Sequence, residues 1–470
     1  MEPTLWKFGH GIKIGSSMNK KTFRKLIQKF VPTNEIYTLT TNDVKEFKIG
    51  KNFIYKFNYS FSRERLKLYN ELTSELNKIE LSNASIAFKK NLSYLHFFEP
   101  HSKNYNFLRL DIRSFFHSIK IEDIRESFKN YIDDDRYIDE GETESFLETF
   151  INIVTYKIPS DSINKNFRNK QILPMGLPTS PVISNIIFRR LDIQIQKLCS
   201  KHNIVYTRYA DDMLFSSSKD SIFVHSNSFI NELQIILFQM KFILNKKKTL
   251  KAKHTLSLNG YTIQYNKKCI DELGEEKIIS LHELRISNKK TNIINKMIYM
   301  IEDEDKSPEL ILKKLFNFTI EWNFEPTYSE TFEKFYKEQL LHKVLGYRSY
   351  LLSIIQFNKK YHCTQVKSIN KYLVIINKLE KISEQYQNRI DELENIIREK
   401  KFFVKINNIA IEDLSLTDWL CGLLIDEGYK TLYDLYEVKE KELVERISGI
   451  GKTRAKGIVE IISREVGKYK

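Results

Sequence analysis

The sequence predicts an α+β protein with a predominantly helical C-terminal half, and three observations predict it. Between Asn106 and about Ile263, apolar strand-like runs alternate with amphipathic helical stretches. After Ser280 the pattern is almost wholly helical and charged, and near the C terminus a glycine-punctuated string joins short helical patterns. The chain of 470 residues is long enough for about two to four folding units. Hydrophobic residues make up 41% of it and aromatics 13%, which is globular composition and excludes wholesale disorder.

The elements follow in order. Segment 1–80 mixes aromatic-rich stretches such as Phe53–Tyr59 with a helical pattern over Arg63–Ile79, where Leu66, Leu68, Leu72, Leu76 and Ile79 fall near one face. Next come a strand over Phe107–Ile112, a helix over Asn185–Leu198, a strand pair over Val205–Phe215 and a helix over Ser228–Lys241. Asn370–Phe402 reads as one long helix, because Leu379, Ile382, Tyr386, Ile390, Leu393 and Ile397 step by threes and fours. At this length an intramolecular helix is expected rather than a dimeric coiled coil.

The net charge of +15 supports a polyanionic partner, although a merely basic soluble protein has the same composition. Cys199, Cys269, Cys363 and Cys421 are scattered without Cys-x-x-Cys spacing, which excludes a zinc ribbon or redox pair. No run approaches the ~18 apolar residues of a membrane span, and the opening Met1-Glu-Pro lacks a signal pattern, so the expectation is a cytoplasmic protein with no membrane partner.

The string Tyr206–Ser216 carries the chemistry. Apolar and aromatic residues flank Asp211 and Asp212, as in a β-hairpin with both acids at its tip. Adjacent carboxylates in an apolar hairpin repel one another unless a cation joins them, so a metal accounts for what packing does not. Asp111, at the end of the apolar run Leu108–Ile112, supplies a carboxylate from a second strand. Phosphoryl transfer by two divalent ions ~3.5–4 Å apart needs carboxylates from separate elements.

In their order, Leu110–Phe116, Leu173–Pro181, Tyr209–Asp212, Leu244–Thr249 and Leu258–Tyr261 resemble the successive palm motifs of bacterial reverse transcriptases, of the retron-like and defence-associated (abortive-infection) kinds. The resemblance covers about 63–263 and implies a right-hand polymerase fold with fingers, palm and helical thumb. The expected organisation is an N-terminal region and fingers over 1–105, and a palm over 106–280 with a fingers insertion at about 120–172. A helical thumb over 281–368, a long helix or linker over 369–410 and a helix-hairpin-helix domain over 411–470 complete it.

The resemblance also implies residue roles. Asp111, Asp211 and Asp212, with the backbone of Ile112, would hold two Mg2+ ions, with Mn2+ as a substitute. Lys248 would protonate or neutralise the leaving pyrophosphate, with Lys246 and Lys247 as alternatives in the same lysine run. Phe116 falls at the steric gate, where an aromatic ring would clash with a ribose 2′-hydroxyl; a core aromatic would have the same pattern. Lys89, Lys90, Arg113, Ser114, Phe115, Met175, Gly176, Tyr209 and Ala210 would line the nucleotide site, and Pro178, Asn259, Gly260 and Tyr261 would meet template and primer. Met175 stands where most reverse transcriptases carry Gln. No Val-Thr-Gly signature of retron enzymes is present near Asn259, which weighs toward the defence-associated relatives.

Leu443–Ile458 fits a helix-hairpin-helix, in which Gly449 and Gly451 allow a tight turn and the following helix presents its N-terminal amides, with Lys452 and Arg454, to a phosphate. Ser448 stands where such motifs often have Pro. A protein-binding helical module would use the same turn for packing.

The function expected is RNA-directed DNA synthesis from dNTPs on an associated noncoding RNA, in antiviral defence, with a companion protein or a homo-oligomer as further partners. Template-independent or protein-primed DNA synthesis, or a retron or group II intron type of enzyme, are the alternatives within the family. The three acids weigh against a silent RNA-binding scaffold. Phe116, and Ala210 where a Gly is expected, weigh against a viral-type RNA replicase.

Overall fold

The computed structural model describes residues 38–50, 52–58, 63–132, 145–269, 278–303, 305–320 and 327–469, together with Lys25, Leu26 and Lys29. Most of the expected N-terminal region before residue 38, and residues 133–144 of the expected fingers insertion, lie outside the described residues.

The chain divides into two compact units, one of residues 1–287 and 356–365 and one of 288–355 and 366–470. In the first, strands β1 (Val44–Ile49) and β2 (Asn52–Phe57) form an antiparallel hairpin. Helix α1 (Arg63–Leu76) follows and buries Leu68, Tyr69, Leu72 and Leu76. The sequence pattern placed Leu66 on that face. It is exposed, and Tyr69 takes its place, its hydroxyl donating to the Ile153 carbonyl. An aromatic with a polar tip satisfies both burial and hydrogen bonding there.

After the short helix α2 (Leu95–Phe98) comes β3 (Asn106–Asp111), then the helices α3 (Phe115–Ser118), α4 (Ile121–Phe128) and α5 (Phe146–Val154) and the strand pair β4 (Tyr156–Lys157) and β5 (Gln171–Ile172). Helix α6 (Ser180–Lys201) leads to strands β6 (Val205–Tyr209) and β7 (Asp212–Ser217), helix α7 (Asn227–Phe238) and strand β8 (Leu250–Lys253). Strands β6, β7, β3 and β8 make one antiparallel sheet in that order, with α6 and α7 contributing Phe188, Leu191, Phe229 and Leu233 to the core. A second sheet orders β11 (Ile278–Ile286), β10 (Tyr261–Cys269) and β9 (Thr255–Leu258). Segment 356–365 joins this unit through the Cys363 carbonyl, which accepts from the Leu284 amide at 2.7 Å.

The second unit is helical: α8 (Asn288–Glu302), α9 (Pro308–Phe316), most of α10 (Ser329–Tyr361), then α11 (Val366–Asn407). The long helix read from the sequence is α11, and it pairs antiparallel with α10 within the chain. The ion pairs Arg348–Glu380 at 2.7 Å, Lys334–Glu394 at 3.2 Å and Lys400–Glu330 at 2.5 Å mark the register. Such exposed pairs contribute little, being screened by solvent; burial of Leu379, Ile382, Ile390 and Leu393 holds the stripe. The helices α12 (Asp418–Asp426), α13 (Leu432–Leu435), α14 (Glu440–Arg446) and α15 (Lys452–Gly467) close around a separate small core of Leu424, Leu432, Leu443, Ile450 and Ile458. No described helix is long and apolar enough to cross a membrane.

Candidate active site

The register of β3 against β7 sets Asp111 directly across from Asp212, and the Ile112 amide donates to the Asp211 carbonyl at 3.0 Å. The acids therefore meet because two apolar strands pair, one from each motif. Asp211 sits in the turn between β6 and β7, after Ala210 in the left-handed region at φ 55°. Burial, and then the neighbouring Asp212 carboxylate, push the Asp211 carboxyl up to about 6. Burial also raises that of Asp212, with Arg109 opposing. This is the unfavourable charge density that a divalent cation relieves, so the donor set suits one.

Arg109 is a residue that the sequence reading missed. It lies two positions before Asp111 on the same face of β3, and its guanidinium bonds Asp212, reaches Asp111 at 3.4 Å and donates to the Lys248 carbonyl at 2.9 Å. Asp111 further accepts from the Asn245 side chain at 3.0 Å and from Lys248 Nζ at 2.8 Å. The acids thus form an ion-pair network with Arg109 and Lys248. Of the three consecutive lysines, Lys248 is the one that reaches Asp111; Lys246 and Lys247 are exposed.

Around this centre, Phe115 turns into the core against Phe188 and Phe242, with ring centroids 5.7 and 5.6 Å away, while Phe116 stays half-buried. Arg113 and Ser114 are exposed, and Ser114 has a left-handed backbone at φ 51°. The loop before α6 is fixed by β2: the Met175 carbonyl accepts from the Tyr55 amide at 2.8 Å. A Cβ at Gly176, where φ is +115°, would lie 2.5 Å from the Tyr55 carbonyl oxygen, so only glycine fits. Pro178 is half-buried. Lys89 donates to the Ser82 carbonyl at 3.2 Å, and burial lowers its pKa, whereas Lys90 is exposed.

Asn259 and Gly260, at φ 49° and 91°, close the β9–β10 hairpin between Leu258 and Tyr261. Positive φ at both positions is the tight hairpin geometry that Asn-Gly favours.

Behind the acids lie two polar networks. Arg208, fully buried, is gripped by Asp192 at 2.9 and 2.7 Å, donates to Asn185 at 3.1 Å and to the Ala210 carbonyl at 3.1 Å, and lies 4.3 Å from the Phe188 ring centre. The backbone of Arg208 also pairs with Ala84 and Ile86. His101 bridges the hairpin from behind, Nδ1 to Ser216 at 2.6 Å and Nε2 to Thr207 at 2.8 Å, and burial holds its pKa down at about 3. It is a neutral structural imidazole.

In the C-terminal core, Gly449, Ile450 and Gly451 form the turn between α14 and α15, with Ile450 buried. Lys452 opens α15 and is exposed. Arg454 is folded back on the turn: it donates to the Gly449 carbonyl at 3.0 Å and lies 4.8 Å from the Trp419 ring centre.

The antiparallel sheet carries a carboxylate pair with a basic turn beside it, as the polymerase palm expected from the sequence would, and the comparisons give its kin. Residues 54–263 match the family described as reverse transcriptase (RNA-dependent DNA polymerase). The retron Ec73 reverse transcriptase of Escherichia coli is 35% identical over 184 residues, 37% of this chain and 52% of that protein. The retron Ec86 enzyme of the same organism is 26% identical over 241 residues, 51% of this chain and 65% of that protein. A telomerase from Candida albicans, solved in complex with a TWJ fragment of telomeric RNA, aligns over 80% of this chain and 70% of its own at 10% identity and a TM-score of 0.37.

Over residues 54–263 the chain is similar to reverse transcriptases of the retron-like bacterial kind, and a helical C-terminal region follows. The chain spans about half the length of the retron Ec73 relative. These relatives are retron enzymes, although this chain has no Val-Thr-Gly signature near Asn259. Polymerases of this family generally use divalent metal ions.

Proposed function

We propose that the chain copies RNA into DNA by two-metal phosphoryl transfer. The observation that carries this reading is the β3–β7 register, which sets Asp111 opposite Asp212 inside the span that matches the family. Asp111, Asp211 and Asp212, with the Ile112 carbonyl, would hold Mg2+, with Mn2+ as a substitute. Bound there, the metal supplies Lewis-acid charge for the attacking hydroxyl and the leaving pyrophosphate. Lys248 is the cation next to Asp111 and the candidate to neutralise or protonate the pyrophosphate. Lys90, Lys89, Arg113, Ser114, Phe115, Met175, Gly176, Tyr209 and Ala210 are proposed for the nucleotide side. Pro178 and Asn259–Tyr261 are proposed for template and primer.

The test is primer extension by the full chain on a defined RNA with dNTPs and Mg2+. A DNA product complementary to the RNA supports the reading. Product of unrelated sequence points to untemplated synthesis, product joined covalently to the chain points to protein priming, and no product under any condition returns the scaffold reading. An associated noncoding RNA and a role in antiviral defence are part of the proposal by family analogy. Sequencing the RNA and DNA that copurify with the protein tests the first.

Phe116 is proposed as the sugar gate, supported by its half-buried ring beside the fully buried Phe115. Phe116→Ala is expected to reduce discrimination against ribonucleotides by about ten- to a hundredfold, the range that shape-based pockets reach. Single additions of ribo- and deoxynucleotides measure it, and unchanged discrimination puts the gate elsewhere.

The turn between α14 and α15 is proposed to hold a nucleic-acid backbone. Lys452→Ala is then expected to flatten the log–log salt dependence of RNA binding by about one unit, since each phosphate contact contributes ~0.7–0.9. Arg454 already bonds Gly449, so Arg454→Ala is expected to loosen the turn as well. An unchanged slope together with loss of an oligomer or a protein partner makes the domain an assembly module.

A further inference from the structure

The turn between β6 and β7 and the turn between β9 and β10 belong to different sheets, and one side chain touches both. Tyr94 stands at the start of α2, a helix anchored by buried Leu95, Phe97 and Phe98. Its ring meets Tyr209 edge-on, with centroids 4.5 Å apart and planes at 84°, and lies 6.1 Å from the ring of Tyr261. At its other end the hydroxyl accepts from the Asn259 side-chain amide at 2.5 Å. Phe98 backs the arrangement, 5.1 Å from Tyr94 and 5.6 Å from Tyr261, and Phe97 lies 6.1 Å from Tyr209.

Each contact has a physical reason. Asn259 is drawn to its position by the left-handed backbone of the hairpin, which leaves its amide projecting from the turn and needing an acceptor. Tyrosine supplies that acceptor on a stiff ring with only two side-chain torsions. Edge-to-face contact places the positive rim of one ring against the negative face of the other, so the Tyr94–Tyr209 pair prefers one mutual orientation. A shift of the β9–β10 turn is therefore passed to the residue two positions before Asp211 through one rigid body.

We propose that Tyr94 is a positioning residue that locks the Asn259–Gly260 turn to the Tyr209–Asp212 turn, aligning a primer strand held at the first with the carboxylates at the second. The proposal rests on the polymerase reading above. It assigns to Tyr94 no contact with the reacting atoms. Its effect falls on how well the primer–template is held in register.

The experiment uses the full chain, a primer–template at varied concentration and saturating dNTP. Tyr94→Phe keeps the ring and deletes the hydroxyl; Asn259→Gly keeps a turn-compatible backbone and deletes the amide. Each is expected to raise the KM for primer–template about three- to tenfold, the scale of one hydrogen bond. In Tyr94→Phe, the variant outside the strand-binding residues, the kcat for the first addition should stay within about twofold. The double variant should be no worse than the poorer single, because both remove the same contact. Tyr94→Leu, which also removes the edge contact with Tyr209, is expected to lower kcat as well.

An unchanged KM in Tyr94→Phe, or additive effects in the double variant, overturns the proposal. So does a loss confined to kcat with a matching loss of folded protein, which is what a purely structural role predicts. If the wild-type chain extends no primer at all, the polymerase reading fails first; if it extends primers and Tyr94→Phe behaves like it, this inference alone fails.

Discussion

Asp111→Asn, Asp211→Asn and Asp212→Asn are each expected to lower nucleotide addition by at least about a thousandfold. Charge stabilisation by a metal is worth several kcal/mol, and each 1.36 kcal/mol is a factor of ten in rate. The three differ in what they do to the fold. Asp111 accepts from Asn245 and Lys248 and Asp212 binds Arg109, so their replacement loosens β3 against its neighbours. Asp211 is different, since burial and Asp212 push its carboxyl up to about 6. A carboxylate whose folded pKa is raised costs stability as pH rises through the window from its ordinary value to about 6 and stays costly above it. Asp211→Asn removes that cost, so in metal-free buffer at neutral pH it should melt no lower than the wild type while being inactive. Paired melting and primer-extension measurements check this, and wild-type extension by Asp211→Asn with Asp212→Asn combined would end the polymerase reading.

What the sequence disclosed and what it hid follow from the range of each interaction. The acids, the apolar strands that carry them, α11 and the Asn-Gly turn are local patterns, with period two, period 3.6 or a dipeptide as the signal. The pairing of Asp111 with Asp212 is a contact between residues 101 apart in the chain; the need for carboxylates from two strands and the resemblance to a family pointed to the partners, and neither gave the register. Arg109 had a usable signal, its spacing of two from Asp111 on a strand, and the sequence reading gave it no role. Tyr94 and His101 had none, because their partners Asn259 and Thr207 come from distant segments, and Asn245 lay in a recognised motif whose lysines alone were given a role. Leu66 shows the opposite failure: its spacing suited the buried face, and Tyr69 won the place because it also reaches a backbone acceptor. Arg454 looked like a phosphate ligand from charge and position alone, and its bond to the Gly449 carbonyl becomes visible only once the turn is folded.

The second large effect is expected at Arg208, a charge buried within the core beside the turn that carries Asp211 and Asp212. Burial opposes its charged form, and Asp192 more than offsets this, so its pKa is raised and the guanidinium is firmly cationic. Arg208→Met leaves Asp192 buried with only the Tyr206 hydroxyl at 2.7 Å, and strips the Ala210 carbonyl of its donor. Breaking one side of a buried pair costs ~3–5 kcal/mol, so the unfolding midpoint of the variant should fall clearly in denaturant. Arg208→Met combined with Asp192→Leu removes both charges and is expected to recover much of that loss, since apolar replacement of a buried pair is often close to neutral. Activity should not recover with it. Ala210 holds a left-handed backbone that an alanine adopts reluctantly, and the Arg208 bond to its carbonyl helps to keep the turn that presents Asp211 and Asp212. A double variant that regains stability but stays at least about tenfold slow at saturating substrate identifies Arg208 as the support of the turn. Full activity in that variant would reduce the network to a packing device.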